Sequence, residues 1–208
     1  MVEGTPDLSR TVVVGTSCSG KTTFARQLAA RLRAPPIELD ALHWLPDWQP
    51  RERAAFLALV EQATAAPAWV ADGNYSRARS LLWPRASAVV WLNYPFRIVL
   101  ARALRRTVVR AVTREELWAG NRESLRLAFL SRQSILWWVL TTYRRRRREF
   151  RALFDQPPWP HLALIELGHP RAAARFLADL PDGPDHRPGR TGSSAPAARS
   201  VRELGYPD

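Results

Sequence analysis

The chain has 208 residues, 46% hydrophobic and 24% charged, enough apolar material for one packed domain and too much for a disordered polymer. Its 31 basic and 19 acidic residues give a net charge of +12 and a pI near 11.3, a balance that favours anionic partners. One cysteine (Cys18) and four histidines exclude a disulfide framework and a Cys/His zinc cluster.

Residues 11–14, Thr-Val-Val-Val, are a short β-branched run ending at Gly15 and predict a buried parallel strand. A small-residue loop follows at 15–20. Residues 21–33 carry helical periodicity in Phe24, Leu28 and Leu32, stopped by Pro35 and Pro36. A second strand is predicted at 37–39, closing at Asp40. Pro50 occupies a tolerated first-turn position of a helix predicted to about residue 65, with Phe56, Leu59 and Val60 on one face. A third strand at 69–71 ends in the turn pair Asp72-Gly73. A fourth at 88–92 is followed by Pro95 and a helix to about residue 110. Thr113 and Glu116 have capping-box spacing for a short helix. A long helical stretch is expected over roughly 123–154, then a fifth strand at 162–167 and a last helix to Leu180.

Alternating strands and helices predict an α/β domain over residues 10–180, built on a five-stranded, mainly parallel sheet flanked by helices. Residues 1–9 read as a flexible N-terminus. Residues 181–208, dominated by Pro, Gly, Ser and Arg, read as a disordered tail. The first ten residues hold no apolar signal region. The longest apolar candidate for a membrane span, 133–143, has 11 residues, far short of a hydrocarbon core about 30 Å thick. A cytoplasmic protein without a transmembrane segment is expected.

Residues 15–22, Gly-Thr-Ser-Cys-Ser-Gly-Lys-Thr, fit G-x-x-x-x-G-K-[ST] between a predicted strand and a predicted helix, the context of a P-loop. Such a loop curls so that successive amides converge on phosphate oxygens at a helix N-terminus. Gly15, Thr16, Ser17, Cys18, Ser19, Gly20, Lys21, Thr22 and Thr23 are therefore the expected donor-nucleotide site. Lys21 would reach the β- and γ-phosphates and the Thr22 hydroxyl would ligate Mg²⁺. Lys21 is also the one lysine among 31 basic residues. A compact ammonium does what a wide guanidinium fork cannot. Cys18 reads as a small residue that fits the loop; a thiol of lowered pKa is the sharper alternative.

Ligands of open α/β sheets bind outside the carboxyl ends of the strands, where Asp40, Asp72 and Asn93 fall. Asp72 is a candidate for holding a magnesium-bound water, and Asp40 for binding the acceptor or taking its proton. Each acid also suits a helix or turn cap. Asn93 cannot be an ionised ligand and reads as structural.

The P-loop, the segment Leu-Asp-Ala-Leu-His-Trp-Leu-Pro-Asp-Trp at 39–48, Asp-Gly-Asn-Tyr-Ser-Arg at 72–77 and Leu-Asn-Tyr-Pro at 92–95 together resemble the adenylate-kinase-related P-loop kinases labelled DNA topology modulation proteins. The resemblance spans about residues 10–180 and implies a P-loop NTPase, nucleotide-kinase-like fold with a short helical lid. More distantly, Asp72-Gly73…Arg77 is similar to the Asp-Gly-Phe-Pro-Arg segment of adenylate kinases. That likeness implies a magnesium role for Asp72 and an acceptor-phosphate role for Arg77. Asn74 and Tyr75 replace the Phe-Pro pair, and Asn93 stands where relatives usually carry Asp. Arg102 and Arg106 lie one helical turn apart on one face; the resemblance implies that they clamp the transferring phosphoryl group. Trp44 and Trp48 fall in the region that covers the acceptor in nucleotide kinases, and equally suit a small satellite core.

Residues 97–151 hold fifteen arginines and four glutamates. Within them the run 144–148 is five arginines, read as a solvated helix end. The apolar residues 135–140 before it read as helix core or, more sharply, as an interfacial membrane contact. These features support an ATP- and Mg²⁺-dependent phosphotransferase, with ATP or GTP as donor and a small anionic acceptor. The alternative is a nucleotide-regulated P-loop protein that binds nucleic acid through its backbone.

Overall fold

A computed structural model describes residues 6–113 and 135–180. In chain order the elements are β1 (Arg10–Gly15), α1 (Lys21–Leu32), β2 (Pro36–Glu38), α2 (Leu39–His43), a 3-10 turn at Pro46–Trp48, α3 (Arg53–Ala63) and β3 (Trp69–Asp72). Then come α4 (Ser76–Leu82), a second 3-10 turn at Trp83–Arg85, β4 (Ala88–Leu92), α5 (Phe96–Thr113), α6 (Ile135–Asp155), β5 (Ala163–Leu167) and α7 (Pro170–Asp179).

The five strands form one sheet in the order β2-β3-β1-β4-β5, and every pairing is parallel. A parallel sheet needs both faces covered, so its strands read as unbroken apolar runs. Val12, Val13 and Val14 of β1 are buried, as are all five residues of β4. Burying each valine stabilises the fold by about 1.5–3 kcal/mol. On one face Val13, Val70 and Val90 meet Phe24 and Leu28 of α1, Val99 and Ala103 of α5, and Val139 and Tyr143 of α6. On the other, Val12, Val14, Trp69 and Trp91 meet Phe56 and Val60 of α3, Leu82 of α4 and Phe150 of α6. The first half of α6 thus serves one layer and its second half the other. Leu8 is buried in the first layer, ahead of β1.

The topology places the site. From β1 the crossover through α1 leads to β2, on one side of the sheet. From β3, the direct neighbour of β1, the crossover through α4 leads to β4, on the other. Adjacent strands whose connections part in opposite directions open a crevice at their carboxyl ends.

Several boundaries differ from expectation. The helix predicted from Pro50 starts at Arg53, because the Glu52 carboxylate accepts the Ala55 N–H and caps it, while Pro50 pairs with Trp44 in an isolated antiparallel bridge. Leu39 and Asp40 begin α2 instead of ending β2. The helices α2 and α4 are additions to the expected order. The arginine run 144–148 is not a helix end: α6 continues to Asp155, carried on by Phe150, Leu153 and Phe154 packed against the sheet. The expected capping box, the lid region at 111–122 beyond Thr113, residues 1–5 and the tail at 181–208 lie outside the described residues.

Candidate functional site

The loop between β1 and α1 has the backbone of an anion cradle. Gly15 and Gly20 have φ of 152° and 89°, and Cys18, a non-glycine, has φ of 63°. Alternating such residues with right-handed ones turns successive N–H groups inward. At Gly15 a side chain is excluded twice, by the positive φ and because a Cβ would lie 2.8 Å from the Leu92 carbonyl oxygen. The first N–H groups of any helix lack intrahelical acceptors, and the N-cap of α1 is Gly20, which has no side chain to satisfy them. The buried hydroxyls of Thr16 and Ser19 have no hydrogen-bond partner. This end of α1 is arranged to be completed by an anion.

Lys21, at the first position of α1, donates from Nζ to the Thr16 carbonyl oxygen at 3.1 Å. Burial pulls its pKa below the ordinary lysine value, and Arg106 acts in the same direction; Asp40, Asp72 and Cys18 oppose them. One residue on, the Thr22 hydroxyl donates to Asp72 Oδ2 at 2.6 Å, joining α1 to the end of β3. Burial pushes the Asp72 carboxyl up to about 6, against the Thr22 hydrogen bond and the Lys21 charge.

The turn after β3 works residue by residue. Asp72 takes the Thr22 hydroxyl. Gly73 lies so close to α2 that a Cβ there would sit 2.9 Å from Leu39 Cβ. Asn74 is bonded twice to Gly15: its Oδ1 accepts the Gly15 N–H at 3.2 Å and its Nδ2 donates to the Gly15 carbonyl. Tyr75 donates its hydroxyl to Asp40 Oδ1 at 2.5 Å. Four consecutive residues therefore tie the P-loop to α2. Asn74 and Tyr75 join the candidate site through these bonds, whereas sequence reasoning treats them only as replacements of the Phe-Pro pair.

Arg102 of α5 donates from Nη1 to the Ser19 carbonyl oxygen, with its guanidinium 5.2 Å from the centre of the Tyr94 ring. Arg106, one turn on, is near enough for its charge to depress the Lys21 pKa. Both expected arginines thus stand at the loop. Asp40 also faces it, being the carboxylate with the largest attraction for Lys21. Arg77 is exposed near the start of α4, and its charge lowers the pKa of His43, as burial does more strongly.

Beside Asp40 stands an aromatic group. The His43 ring lies 4.7 Å from those of both Trp44 and Tyr75 and 5.3 Å from Phe56. Trp44 meets Trp48 edge-on at 5.7 Å. Asn93 is turned elsewhere: its Nδ2 donates to Glu166 Oε1 at 2.6 Å and its N–H to the Leu167 carbonyl, fastening β4 to β5.

Magnesium takes hard oxygen donors, keeps several waters and shares itself with substrate phosphates. The paired oxygens of Thr22 and Asp72 beside the glycine-rich loop fit that habit. Among the described residues no three His, Cys, Asp or Glu side chains are grouped to hold a metal by themselves.

The architecture is similar to that of a shikimate kinase from Acinetobacter baumannii solved with shikimate, at 17% identity over 83% of this chain and 90% of that one, with a TM-score of 0.52. The fold is a P-loop NTPase fold. A gluconokinase from Sinorhizobium meliloti 1021 is similar at 21% identity over 84% of this chain and 94% of that one, with a TM-score of 0.47. No family model matches the sequence, and no curated protein matches it. Among the described residues no helix is long and apolar enough to cross a membrane.

Proposed function

We propose that the chain is an ATP- or GTP-dependent, magnesium-dependent phosphotransferase acting on a small acceptor. The observation that carries this reading is the Thr22–Asp72 hydrogen bond of 2.6 Å beside Lys21, at the crevice where the connections leaving β1 and β3 diverge. The fold shared with the shikimate kinase supports it, as does the resemblance of residues 39–48 and 72–77 to kinases of the DNA topology modulation type.

Phosphoryl transfer asks a protein chiefly for position and charge neutralisation. The loop amides and Lys21 hold the donor's phosphates. Thr22 and Asp72 would hold the magnesium ion, which would offset the charge of the phosphates. Arg106 adds positive potential at the transferring group. Arg102 serves twice, because its bond to the Ser19 carbonyl holds the loop's shape while its charge faces the phosphates. Asp40, Trp44 and Arg77 form the acceptor side.

The test is ADP release measured across acceptor classes with and without magnesium. Acceptor-dependent release that requires magnesium and vanishes in Lys21→Ala, with the circular dichroism unchanged, is expected. Wild-type turnover in that variant would sink the assignment.

A further inference from the structure

Seven of the eight large apolar side chains exposed among the described residues lie on two neighbouring helices, α5 and α6. Leu104, Val108 and Val109 on α5 and Trp137, Trp138 and Leu140 on α6 are each between 44% and 53% exposed. Exposed patches of this kind mark places where a chain meets something else. Arginines share the same faces: Arg97 and Arg105 on α5, Arg144, Arg145 and Arg148 on α6. We infer that this surface docks on an anionic lipid bilayer, its arginines meeting headgroup phosphates while its apolar side chains dip between the lipids. The inference does not depend on the kinase reading.

The two faces form one surface. Val99 and Ala103 of α5 and Val139 and Tyr143 of α6 enter the same core layer. The helices pack against each other, and Phe96 meets the Tyr143 ring edge-on at 5.1 Å. With those sides turned to the sheet, the opposite sides look outward together. On α5 the arginines divide. Arg102 and Arg106 are half-buried at the loop, whereas Arg97 and Arg105 are exposed on the stripe that holds Leu104 and Val108. On α6, Trp137, Thr141, Arg144 and Arg148 follow one another along a single exposed stripe, apolar at one end and cationic at the other.

Charge tells which partner fits. Residues 96–113 and 135–148 carry five arginines each and no acid. The first acid further along α6, Glu149, is taken by Arg79 and Arg146. A second copy of the chain would therefore set arginine against arginine. A nucleic acid would satisfy the arginines through its phosphates, and a base could stack on Trp138. Nothing in a polynucleotide covers the aliphatic side chains of Leu104, Val108, Val109 and Leu140.

An anionic bilayer answers both halves of the surface. Guanidinium groups bind phosphate through paired hydrogen bonds, and just below the phosphates lies the zone where tryptophan rings and aliphatic side chains settle. The contact is peripheral. No described helix is long and apolar enough to cross a membrane, and Val139 and Tyr143 hold α6 to the sheet.

The test sediments the full chain with vesicles of phosphatidylcholine alone, or of equal parts phosphatidylcholine and phosphatidylglycerol, at low and high salt. Binding to the anionic vesicles that weakens with salt is expected, with little binding to the neutral ones. Brominated acyl chains should quench the tryptophan fluorescence, and Trp138→Ala should reduce that quenching. Arg144→Gln with Arg148→Gln should lower the vesicle partition coefficient about thirtyfold, at roughly fivefold for each arginine. Trp138→Ala should lower it about tenfold. Circular dichroism should stay that of the wild type in both variants, so that the loss reads docking; Leu140→Gln replaces Trp138→Ala should the latter fail to fold.

Three results overturn the inference: folded wild-type protein that ignores anionic vesicles at low salt, equal binding to neutral vesicles, or unchanged binding in the variants. Two others overturn it by reassigning the surface. Duplex DNA binding that is lost in the arginine variant, in a chain that ignores vesicles, would give the surface to nucleic acid. Dimers in solution that Trp138→Ala abolishes, again without vesicle binding, would give it to a second copy.

Discussion

The loop at residues 15–22 and the arginine run at 144–148 are the two conspicuous sequence features, and the structure treats them oppositely. At the loop each charge is engaged: Lys21 and Arg102, both half-buried, on Thr16 and Ser19, and the buried Asp72 on Thr22. In the run, Arg144, Arg145, Arg147 and Arg148 are exposed. Arg146 is half-buried and pairs with Glu149 at 3.1 Å, and Glu149 also binds Arg79 of α4. Abundance of charge therefore does not locate the candidate site in this chain. On the kinase reading proposed above, the charges held at the loop matter more, because a pairing partly stripped of water acts through a lower dielectric than one at the surface.

Substitutions can break or sharpen that contrast. The largest effect is expected at Lys21→Ala, with turnover falling at least about a thousandfold in a protein that still folds; steady-state kinetics decides. Asp72→Asn should cost about a hundredfold in turnover, and it also separates the site by pH. The Asp72 carboxyl lies at about 6 in the folded chain and at 3.8 when unperturbed. Between those values the native state keeps a proton that the unfolded state has released. Stability of the nucleotide-free protein therefore falls as pH rises through this window, by up to about 3 kcal/mol, and levels off above it. Urea melts should show this slope in the wild type and lose it in Asp72→Asn.

Asn74→Ala removes both hydrogen bonds to Gly15. It should destabilise the fold by about 1–3 kcal/mol and weaken ATP binding roughly tenfold, the linkage equivalent of about 1.4 kcal/mol, read by calorimetry. The smallest effect belongs to the run. Arg144→Gln with Arg148→Gln should leave turnover unchanged and move stability by about 0.5 kcal/mol or less. A large loss there would erase the contrast.

Legibility follows the range over which each signal acts. The P-loop and the five strands are readable because pattern, neighbours and chemistry sit within a few residues of one another. The helices α2 and α4 have five and seven residues, too few turns to display a period of 3.6. Pro50 imitates a helix start, but the cap is Glu52, whose carboxylate is at hand to receive the Ala55 N–H. The run 144–148 is solvated without ending its helix, which reaches Asp155 close to the expected 154, because Phe150 and Phe154 pack beyond it. Asn74 is out of reach altogether: its partner Gly15 lies 59 residues away, and no local rule links an amide side chain to a distant glycine.

The turn after β3 carries one more consequence. Residues 72–75 grip α1 and the loop at one end and α2 at the other, so on the kinase reading proposed above this turn would link the nucleotide side to the acceptor side. Thermodynamic reciprocity then applies: whatever factor a bound nucleotide applies to the acceptor's dissociation constant, the acceptor returns to the nucleotide's.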